Sequence, residues 1–553
     1  MPLHFLPWAS WHSEMLVFAG VMLACCGLLV KRSASSQARG TVEVPQSIYF
    51  FAVLPVAALL QWLLGQLPNG GDVVVIGFYA ALCVGCSALG FVPISNVQRG
   101  NPCAALAWLL LAAGLGSTVI ALAQAFDVWV ESEWIVRGFS QRRPGSNLAQ
   151  PNHLALLLAM AMASLAYLNN VSKVLGKGVS CLVFAVLATG LAATESRAGL
   201  LQVLVLAIWL CIKTVGDQAR LSRWSVPIWD VPRRDMAICA GFATGLFVAY
   251  PTIFGLLTGV EGTVSRLSDG SMRFTVWPQL FDAVMLKPWL GWGVLQVAPA
   301  HNAVADAHAV AEAFHYSHNI FLDLAIWLGL PVAVGLVVLV AAWLWRHIKK
   351  TTSPHASYAL ALLLVLGVAS LLEYQYSYAY FLAPAAFAVG VLERQHSAAI
   401  WRGLSARVAL AVTLVVTGLM AWSVAEYTLL EEDVRVARFQ ASRIGSTPQG
   451  YTAPSTVLLT QISAVANNSR IKISPNMPPE QLTALKQSAL RYPWTATQSR
   501  YAMALALNGN ITEGQRQLRV MRAQHGNAVF LRVVDELNTQ LQEKNSAIRF
   551  LSY

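Results

Sequence analysis

The feature that most constrains the fold is a series of about twelve apolar stretches, each long enough to cross the roughly 30 Å of a membrane's hydrocarbon core. They lie near residues 15–31, 47–65, 73–92, 103–125, 153–169, 177–193, 198–213, 235–258, 318–345, 356–372, 378–393 and 406–424. Charged residues make up 12% of the 553-residue chain, against about 25% in soluble domains. Since a spanning segment must satisfy its own backbone hydrogen bonds, the stretches predict helices. We therefore expect an all-α, polytopic membrane protein with about twelve transmembrane helices.

The distribution of positive charge predicts the topology. Loops after odd-numbered spans hold most of the lysines and arginines, such as Lys31 and Arg32 after the first span and Lys349 and Lys350 after the ninth. The positive-inside rule places these loops in the cytoplasm and both termini on the outer face. The net charge of +11 follows from this topology, and no basic block interleaved with aromatic residues indicates nucleic-acid binding. We therefore expect a multi-pass protein of the bacterial inner membrane whose outer loops face the periplasm.

Two polar regions are predicted on the periplasmic side of the transmembrane domain, which extends over residues 1–424. The first is a large loop, 259–317, in which residues 271–285 show helical spacing and residues 294–313 are expected to form a mobile flap. The second is the C-terminal region, 425–553, which we expect to be a helical domain. Its segment from Ala502 to Gln524 resembles one helix–turn–helix unit of the tetratricopeptide kind, and a generic small helical domain fits the same pattern.

Several polar side chains stand at the outer ends of the predicted spans and in the outer loop, and charge at a membrane helix is costly and a default sign of function. They are Gln150, Asn152, Arg197, Arg273, His318, Tyr378 and Tyr380. Histidine exchanges a proton near neutral pH, and a guanidinium group binds phosphate oxygens through two parallel hydrogen bonds. Each residue also has a structural interpretation, because histidines at helix ends and tyrosines at a membrane boundary are common without catalysis.

The chain has no sequence motif for a metal or a nucleotide, neither His-Glu-x-x-His nor a glycine-rich phosphate-binding loop. We therefore expect no metal ion, no cofactor and no nucleotide substrate. A histidine together with arginines then indicates a substrate that carries its own leaving group, and a diphosphate is suitable because arginines stabilise the charge that it develops.

Four motifs, taken in their order along the chain, resemble the O-antigen ligase/polymerase (WaaL/Wzy) superfamily. They are Gln150-Pro-Asn-His153-Leu-Ala, Glu195-Ser-Arg197-Ala-Gly199-Leu, Arg273-x-x-x-Trp277 followed by Pro288-x-x-Gly291-x-Gly293, and His318-Asn319-x-x-Leu322 followed by Leu328-Gly329-x-Pro331. The Gln-Pro-Asn-His sequence, Glu373-Tyr-x-x-x-Tyr378-x-Tyr380 and the polar C-terminal extension resemble the protein O-oligosaccharyltransferase (PglL-type) branch more closely. The resemblance covers about residues 100–395.

The resemblance implies membrane helices around a periplasmic cavity. It implies en bloc transfer of a glycan from an undecaprenyl-diphosphate carrier to Ser or Thr hydroxyls of exported proteins such as pilin. His318 is implied as the catalytic base, with Tyr378 and Gln150 as further catalytic residues and Arg197 and Arg273 on the diphosphate. The remaining candidates for binding the diphosphate or the glycan are Asn152, His153, Asn319 and Tyr380. Tyr316 stands where the family often has a histidine, so a paired-histidine mechanism is not implied.

Alternative functions agree with parts of the sequence. An O-antigen ligase would transfer the glycan to lipid A core, and an O-antigen polymerase would extend the glycan itself. The C-terminal region and the Gln-Pro-Asn-His and tyrosine motifs favour a protein acceptor. A transporter or flippase is a different class, and it would show ionisable residues in the middle of spans or inverted repeats of broken helices, which the sequence lacks.

Overall fold

The structure is a computed structural model that describes residues 6–33, 41–92, 101–128, 133–136, 143–173, 175–213, 229, 232–259, 272–310, 312–396, 400–442, 444–543 and 548–551. Helices account for most of these residues. The prediction of an all-α, polytopic membrane protein is confirmed. Residues 260–271 of the predicted loop 259–317 lie outside the described residues.

The first eight helices coincide with the first eight predicted spans. They are α1 (Trp11–Ser33), α2 (Ile48–Leu63), α3 (Gly70–Gly90), α4 (Pro102–Ala125), α5 (Pro151–Val171), α6 (Lys177–Ala193), α7 (Arg197–Ile212) and α8 (Arg233–Thr258). A short strand, β1 (Thr41–Pro45), follows α1. Local sequence sets several of these beginnings: the Asn101 side chain caps α4, and Pro102 supplies a first residue that needs no hydrogen-bond partner for its nitrogen.

Seven further helices follow along the chain. They are α9 (Met272–Leu286), α10 (Val297–Asn302), α11 (Ile320–Leu328), α12 (Leu330–Lys350), α13 (Pro354–Leu372), α14 (Ala379–His396) and α15 (Ala406–Ala441). Strand β2 (Ile400–Ser405) precedes α15 and pairs antiparallel with β1. Of the helices in the described ranges, nine are long and apolar enough to cross a membrane: α1, α3, α4, α5, α6, α8, α12, α13 and α15. Helices α2 and α7 are also apolar but have only 16 residues each.

The ninth predicted span, residues 318–345, is not one helix, and that prediction is wrong. Helix α11 ends at Leu328, α12 begins at Leu330, and Gly329 between them has a φ of +77°. A Cβ at this position would lie 2.3 Å from the carbonyl oxygen of Trp289, so the approach of the two backbone segments requires glycine. His318 therefore precedes a short helix and does not begin a continuous span.

The chain divides into two compact units, each with its own packing. Unit 1 comprises Met1–Ala52, Tyr79–Asp269 and Val340–Gly418. Its core surrounds α5, which is buried almost without interruption from His153 to Leu165 and packs against α4, α7 and α13. Small residues on α5, such as Ala155 and Ala161, allow the close approach that membrane helices use to pack.

Unit 2 comprises Val53–Phe78, Gly270–Leu339 and Leu419–Tyr553. Its C-terminal helices are α16 (Thr460–Ser469), α17 (Pro479–Arg491), α18 (Thr495–Leu507), α19 (Ile511–His525) and α20 (Asn527–Glu543). Helices α18 and α19 form a helix–turn–helix over the segment where the sequence predicts one. Helix α15 is continuous across residue 424, where the sequence places the boundary of the transmembrane domain.

The described residues of the predicted flap, 294–310 and 312–313, are largely packed, so the expectation of a mobile flap is wrong. His301 is fully buried, and its Nε2 lies 2.9 Å from the Oε1 of Gln279. The amides of Asn302 and Gln517 exchange two hydrogen bonds of 3.1 and 3.2 Å, which join the loop to α19. This segment is therefore part of the folded core of unit 2.

Candidate active site

The Gln150-Pro-Asn-His motif forms the beginning of helix α5. Ala149 has a φ of +55°, which turns the chain into the helix, and Pro151 is its first residue. The Gln150 side-chain Oε1 accepts a hydrogen bond of 2.8 Å from the His153 backbone N–H, so this glutamine caps the helix. Its amide group keeps its two N–H donors for other partners. The capping contact gives Gln150 a fixed orientation at the end of unit 1 that carries the following residues.

A hydrogen-bonded chain of polar side chains joins three helices in unit 1. The Asn152 amide donates to the Oε1 of Glu373 at 2.5 Å, and its Oδ1 accepts from the Ser196 hydroxyl at 2.8 Å. The Ser196 oxygen in turn accepts from the Gly199 N–H at 3.1 Å and caps α7. Glu373 follows the last residue of α13 and is 1% exposed. The network thereby fixes the beginning of α7, where Arg197 is the first helical residue and is exposed.

His153 lies inside a cluster of aromatic rings. Its ring centroid is 4.4 Å from that of Tyr378 and 5.6 Å from that of Phe381, and its Nδ1 shares a hydrogen bond of 3.3 Å with the Tyr380 hydroxyl. Tyr374 also packs on this histidine, at 6.2 Å. Burial raises the pKa of Tyr374, against the opposite effect of its hydrogen bond with Tyr378. Because His153 is only 3% exposed, its contacts position the tyrosines, which are themselves half-buried.

In unit 2, His318 occupies a strained turn ahead of α11. Its φ of +59° lies in the left-handed region, which a non-glycine residue adopts at a cost of about 1–3 kcal/mol. The buried Ser317 holds this turn, because its N–H donates to Asp323 at 2.7 Å and its hydroxyl donates to the Asn319 carbonyl at 2.7 Å. The Asn319 side chain caps α11 by accepting from the Phe321 N–H at 3.0 Å. The surrounding contacts therefore determine a backbone conformation that His318 would rarely adopt alone.

The segment that carries Arg273 is joined to the histidine turn. The Trp277 indole N–H donates to the Ser317 carbonyl at 2.8 Å, and Arg273 lies one turn earlier on α9. After α9, the Trp292 N–H donates to the Ile326 carbonyl at 2.7 Å. These contacts explain the residues of the Arg-x-x-x-Trp motif and of the glycine-containing motif that follows it.

Comparisons with known proteins agree with these motifs. Residues 182–337 match the family described as O-antigen ligase, and residues 357–538 match the family described as virulence factor membrane-bound polymerase, C-terminal. A general O-oligosaccharyltransferase of Acinetobacter baylyi is 24% identical over 566 residues, covering 98% of this chain and 93% of that protein. A ComP-specific O-oligosaccharyltransferase of the same organism is 25% identical over 388 residues, covering 68% of this chain and 66% of that protein.

The chain belongs to the O-oligosaccharyltransferase branch of the O-antigen ligase superfamily. This oligosaccharyltransferase is accordingly a glycosyltransferase, as the sequence predicts. Its matched O-antigen ligase region contains three of the predicted site residues, Arg197, Arg273 and His318, and the second matched region contains the tyrosines.

The structure places the predicted site residues of the oligosaccharyltransferase in two groups. The first group lies in unit 1 and is connected through direct contacts and the Ser196 cap; its members are Gln150, Asn152, His153, Arg197, Tyr378 and Tyr380. The second group lies in unit 2 on the segments that Trp277 joins; its members are Arg273, His318 and Asn319. The catalytic and binding roles of all nine residues remain predictions.

Sequence reasoning missed several residues that hold these groups in place. Glu373, Ser196 and Trp277 stand inside the quoted motifs, but their spacing gives no role for them because their partners are distant along the chain. Within the described ranges, no group of three or more histidines, cysteines and acidic residues could hold a metal ion, so none of these side chains is assigned as a metal ligand.

Proposed function

We propose that this oligosaccharyltransferase transfers a glycan en bloc from an undecaprenyl-diphosphate carrier to Ser or Thr hydroxyls of exported, pilin-like proteins on the periplasmic face. The observation that carries the proposal is the hydrogen-bonded chain from Glu373 through Asn152 to Ser196. This chain fixes Arg197 at the beginning of α7 and Gln150 at the beginning of α5. Helix N-termini carry partial positive charge and unpaired N–H groups, and with a guanidinium they suit a diphosphate.

The protein acceptor is supported by the relatives. Both matched proteins of Acinetobacter baylyi are named O-oligosaccharyltransferases, and one of them is named for its specificity toward ComP. The general O-oligosaccharyltransferase aligns with nearly the whole chain, including the C-terminal helices, which favours a protein acceptor over lipid A core.

The reaction balances without a co-reactant. The acceptor hydroxyl oxygen bonds to the anomeric carbon of the glycan, and the bond from that carbon to the diphosphate oxygen breaks. Undecaprenyl diphosphate leaves with the bonding electrons, and Arg197 and Arg273 stabilise the charge that it gains. His318 takes the proton of the acceptor hydroxyl. Tyr378 and Gln150 orient the reducing-end sugar, and the proposal requires that one substrate reach both groups of side chains.

The geometry of unit 1 supports a periplasmic location for the first group. Helix α14 runs from Ala379, beside the tyrosines, to His396. At that far end the His396 Nδ1 lies 2.8 Å from the His347 Nδ1, near Lys349 and Lys350 of α12. The positive-inside rule assigns this lysine-bearing end to the cytoplasm, so we place the opposite end, and the C-terminal region 425–553, in the periplasm of the inner membrane.

Reconstitution tests the proposal directly. The purified protein would be placed in lipid nanodiscs with an undecaprenyl-diphosphate oligosaccharide and a pilin-like acceptor, and glycosylated acceptor would be measured by mass spectrometry. We expect His318→Ala and Arg197→Ala each to lower the rate about 100-fold or more, because each removes proton transfer or leaving-group stabilisation.

Matched controls separate these effects from general damage. His308→Ala changes a histidine of the same unit whose ring contacts Asp282, and Arg233→Ala changes an arginine that is likewise the first residue of a membrane helix, α8. Both controls should retain the transfer rate within about twofold, as surface substitutions usually do. Full transfer by His318→Ala would contradict the mechanism, and glycan on lipid A core but on no protein would show an O-antigen ligase instead.

A further inference from the structure

Glu14 is a buried carboxylate in the first turn of α1, and it lies outside every motif of the sequence. It is 1% exposed. The Ser10 hydroxyl donates to its Oε1, and the Tyr79 hydroxyl donates to its Oε2. The Trp8 indole N–H donates to the Ser10 hydroxyl oxygen at 2.9 Å. A carboxylate inside a membrane protein is costly, and such groups are usually retained for function.

The third donor to Glu14 comes from the helix that carries the tyrosines. The Ala379 N–H donates to the Glu14 Oε2 at 3.3 Å, although 365 positions separate the two residues in the chain. Ala379 is the first residue of α14, so its N–H has no acceptor within its own helix. The residue before it is Tyr378, which has no side-chain oxygen placed to cap a helix as serine or asparagine does. Glu14 therefore supplies from α1 the cap that the local sequence of α14 lacks.

The capped residue stands between the two tyrosines of the first group. Tyr378 precedes Ala379 and Tyr380 follows it, and the tyrosine rings are 5.3 Å apart. A negative charge at a helix N-terminus also stabilises the helix through its dipole. Tyr79 is held in turn by Phe18, whose ring meets the Tyr79 ring edge-on at 5.4 Å. The position of the tyrosines thus depends on contacts made by α1 and α3.

We propose that Glu14 is a positioning residue, which fixes the first turn of α14 and so holds Tyr378 and Tyr380 against His153. This inference rests on the proposed function for its effect on glycan transfer, and it stands on the geometry alone for its effect on α14. It assigns α1 a role in the active site in addition to membrane anchoring.

The variants Glu14→Ala and Glu14→Gln test the inference. Glutamine keeps an acceptor oxygen and loses the charge, so it should rescue part of the effect. The matched control is Glu393→Gln, because Glu393 lies at the other end of the same helix, is 2% exposed and accepts from the Trp343 indole at 2.5 Å. Thermal unfolding of each variant would confirm that the comparison is made on folded protein.

The first measurement does not depend on activity. Hydrogen exchange followed by mass spectrometry would report on the backbone amides of residues 378–383, the first turn of α14. We expect exchange there to become about tenfold faster in Glu14→Ala, less so in Glu14→Gln, and unchanged in Glu393→Gln, since loss of a helix cap typically has this size. Unchanged exchange in Glu14→Ala would overturn the inference.

The second measurement is glycan transfer in the reconstituted system. We expect Glu14→Ala to lower kcat/KM about tenfold, and Glu14→Ala combined with Tyr378→Phe and Tyr380→Phe to be no slower than the double tyrosine variant, because residues that act through one another are not additive. Additive losses, or full transfer by Glu14→Ala, would overturn the positioning role. Full transfer by His318→Ala together with faster exchange in Glu14→Ala would instead overturn the proposed mechanism and leave the cap in place.

Discussion

Substituting Asn152 by aspartate sets two physical effects against each other. Asn152 is the second residue of α5, where a negative charge ordinarily stabilises a helix by about 0.3–1 kcal/mol. In this protein its Nδ2 lies 2.5 Å from the Oε1 of the buried Glu373. Asn152→Asp replaces this donor by a second carboxylate oxygen. Helix propensity therefore predicts a gain in the free energy of unfolding, and the tertiary contact predicts a loss.

The magnitudes decide which effect is larger. Two like charges 4 Å apart repel by about 4 kcal/mol at an effective dielectric constant of 20, and the oxygens here would be closer. The variant also loses a charge-assisted hydrogen bond worth about 1.5–3 kcal/mol. We therefore expect Asn152→Asp to lower the free energy of unfolding by about 3 kcal/mol or more at pH 8. Displacement of Ser196 and Arg197 should then reduce glycan transfer at least tenfold.

The dependence on pH distinguishes this explanation from a packing defect. When the pH falls, one of the two facing carboxylates takes up a proton, which removes the repulsion and restores a hydrogen bond between them. The stability of Asn152→Asp relative to the unchanged protein should therefore increase between pH 8 and pH 5. Thermal unfolding in detergent across this range, with transfer rates at each pH, measures the effect.

The matched control is Asn169→Asp, near the other end of α5. Asn169 accepts a hydrogen bond of 3.0 Å from Ser180 and has no carboxylate among its hydrogen-bond partners in the described residues. Its stability should change by less than about 1 kcal/mol, as expected for a charge near a helix C-terminus. Equal losses in Asn152→Asp and Asn169→Asp, or a stable and fully active Asn152→Asp at pH 8, would refute the reasoning.

Three further predictions concern unit 2. Gly329→Ala should lower the free energy of unfolding by about 2–4 kcal/mol, because φ is +77° and the new Cβ would lie 2.3 Å from a backbone carbonyl oxygen; Gly335→Ala, which meets nothing within 4 Å, should not, and thermal unfolding compares them. Burial, with a smaller contribution from a neighbouring histidine, lowers the pKa of His301 from 6.5 to about 4, so the unfolded state binds more protons between these values. Stability should therefore fall by about 2 kcal/mol from pH 7 to pH 5, and His301→Gln should remove this slope in unfolding measured at each pH. Trp277→Phe removes the donor to Ser317 and should lower the transfer rate about tenfold with the fold retained, and an unchanged rate would contradict the role of this contact.

The positions of the helices could be predicted because they depend on consecutive residues. An apolar run of about 20 residues leaves the backbone no partner except itself, so it becomes a helix wherever it packs. The start of α5 at Gln150-Pro151 follows equally from local rules, since a side-chain acceptor before a proline is typical of a helix N-terminus.

The break at Gly329 could not be predicted in this way. Leucine stands on both sides of the glycine, so the apolar pattern continues through it. The break arises because the backbone of residues 288–292 approaches at this point: the Leu330 N–H donates to the Pro288 carbonyl at 2.7 Å and the Trp292 N–H to the Ile326 carbonyl at 2.7 Å. Such contacts depend on distant segments meeting, which hydrophobic periodicity does not report.

The amino-acid sequence by itself determined a helical membrane protein with its charged ends on one side, and it identified Arg197, His318 and Tyr378 as candidates from motifs whose residues are neighbours. Only the tertiary structure decided which side chains hold them. Glu373 reaches Asn152 across 221 positions and Glu14 reaches Ala379 across 365. The physical reason is that a buried charge is stable only where several donors converge on it, and that convergence exists only after the helices have packed.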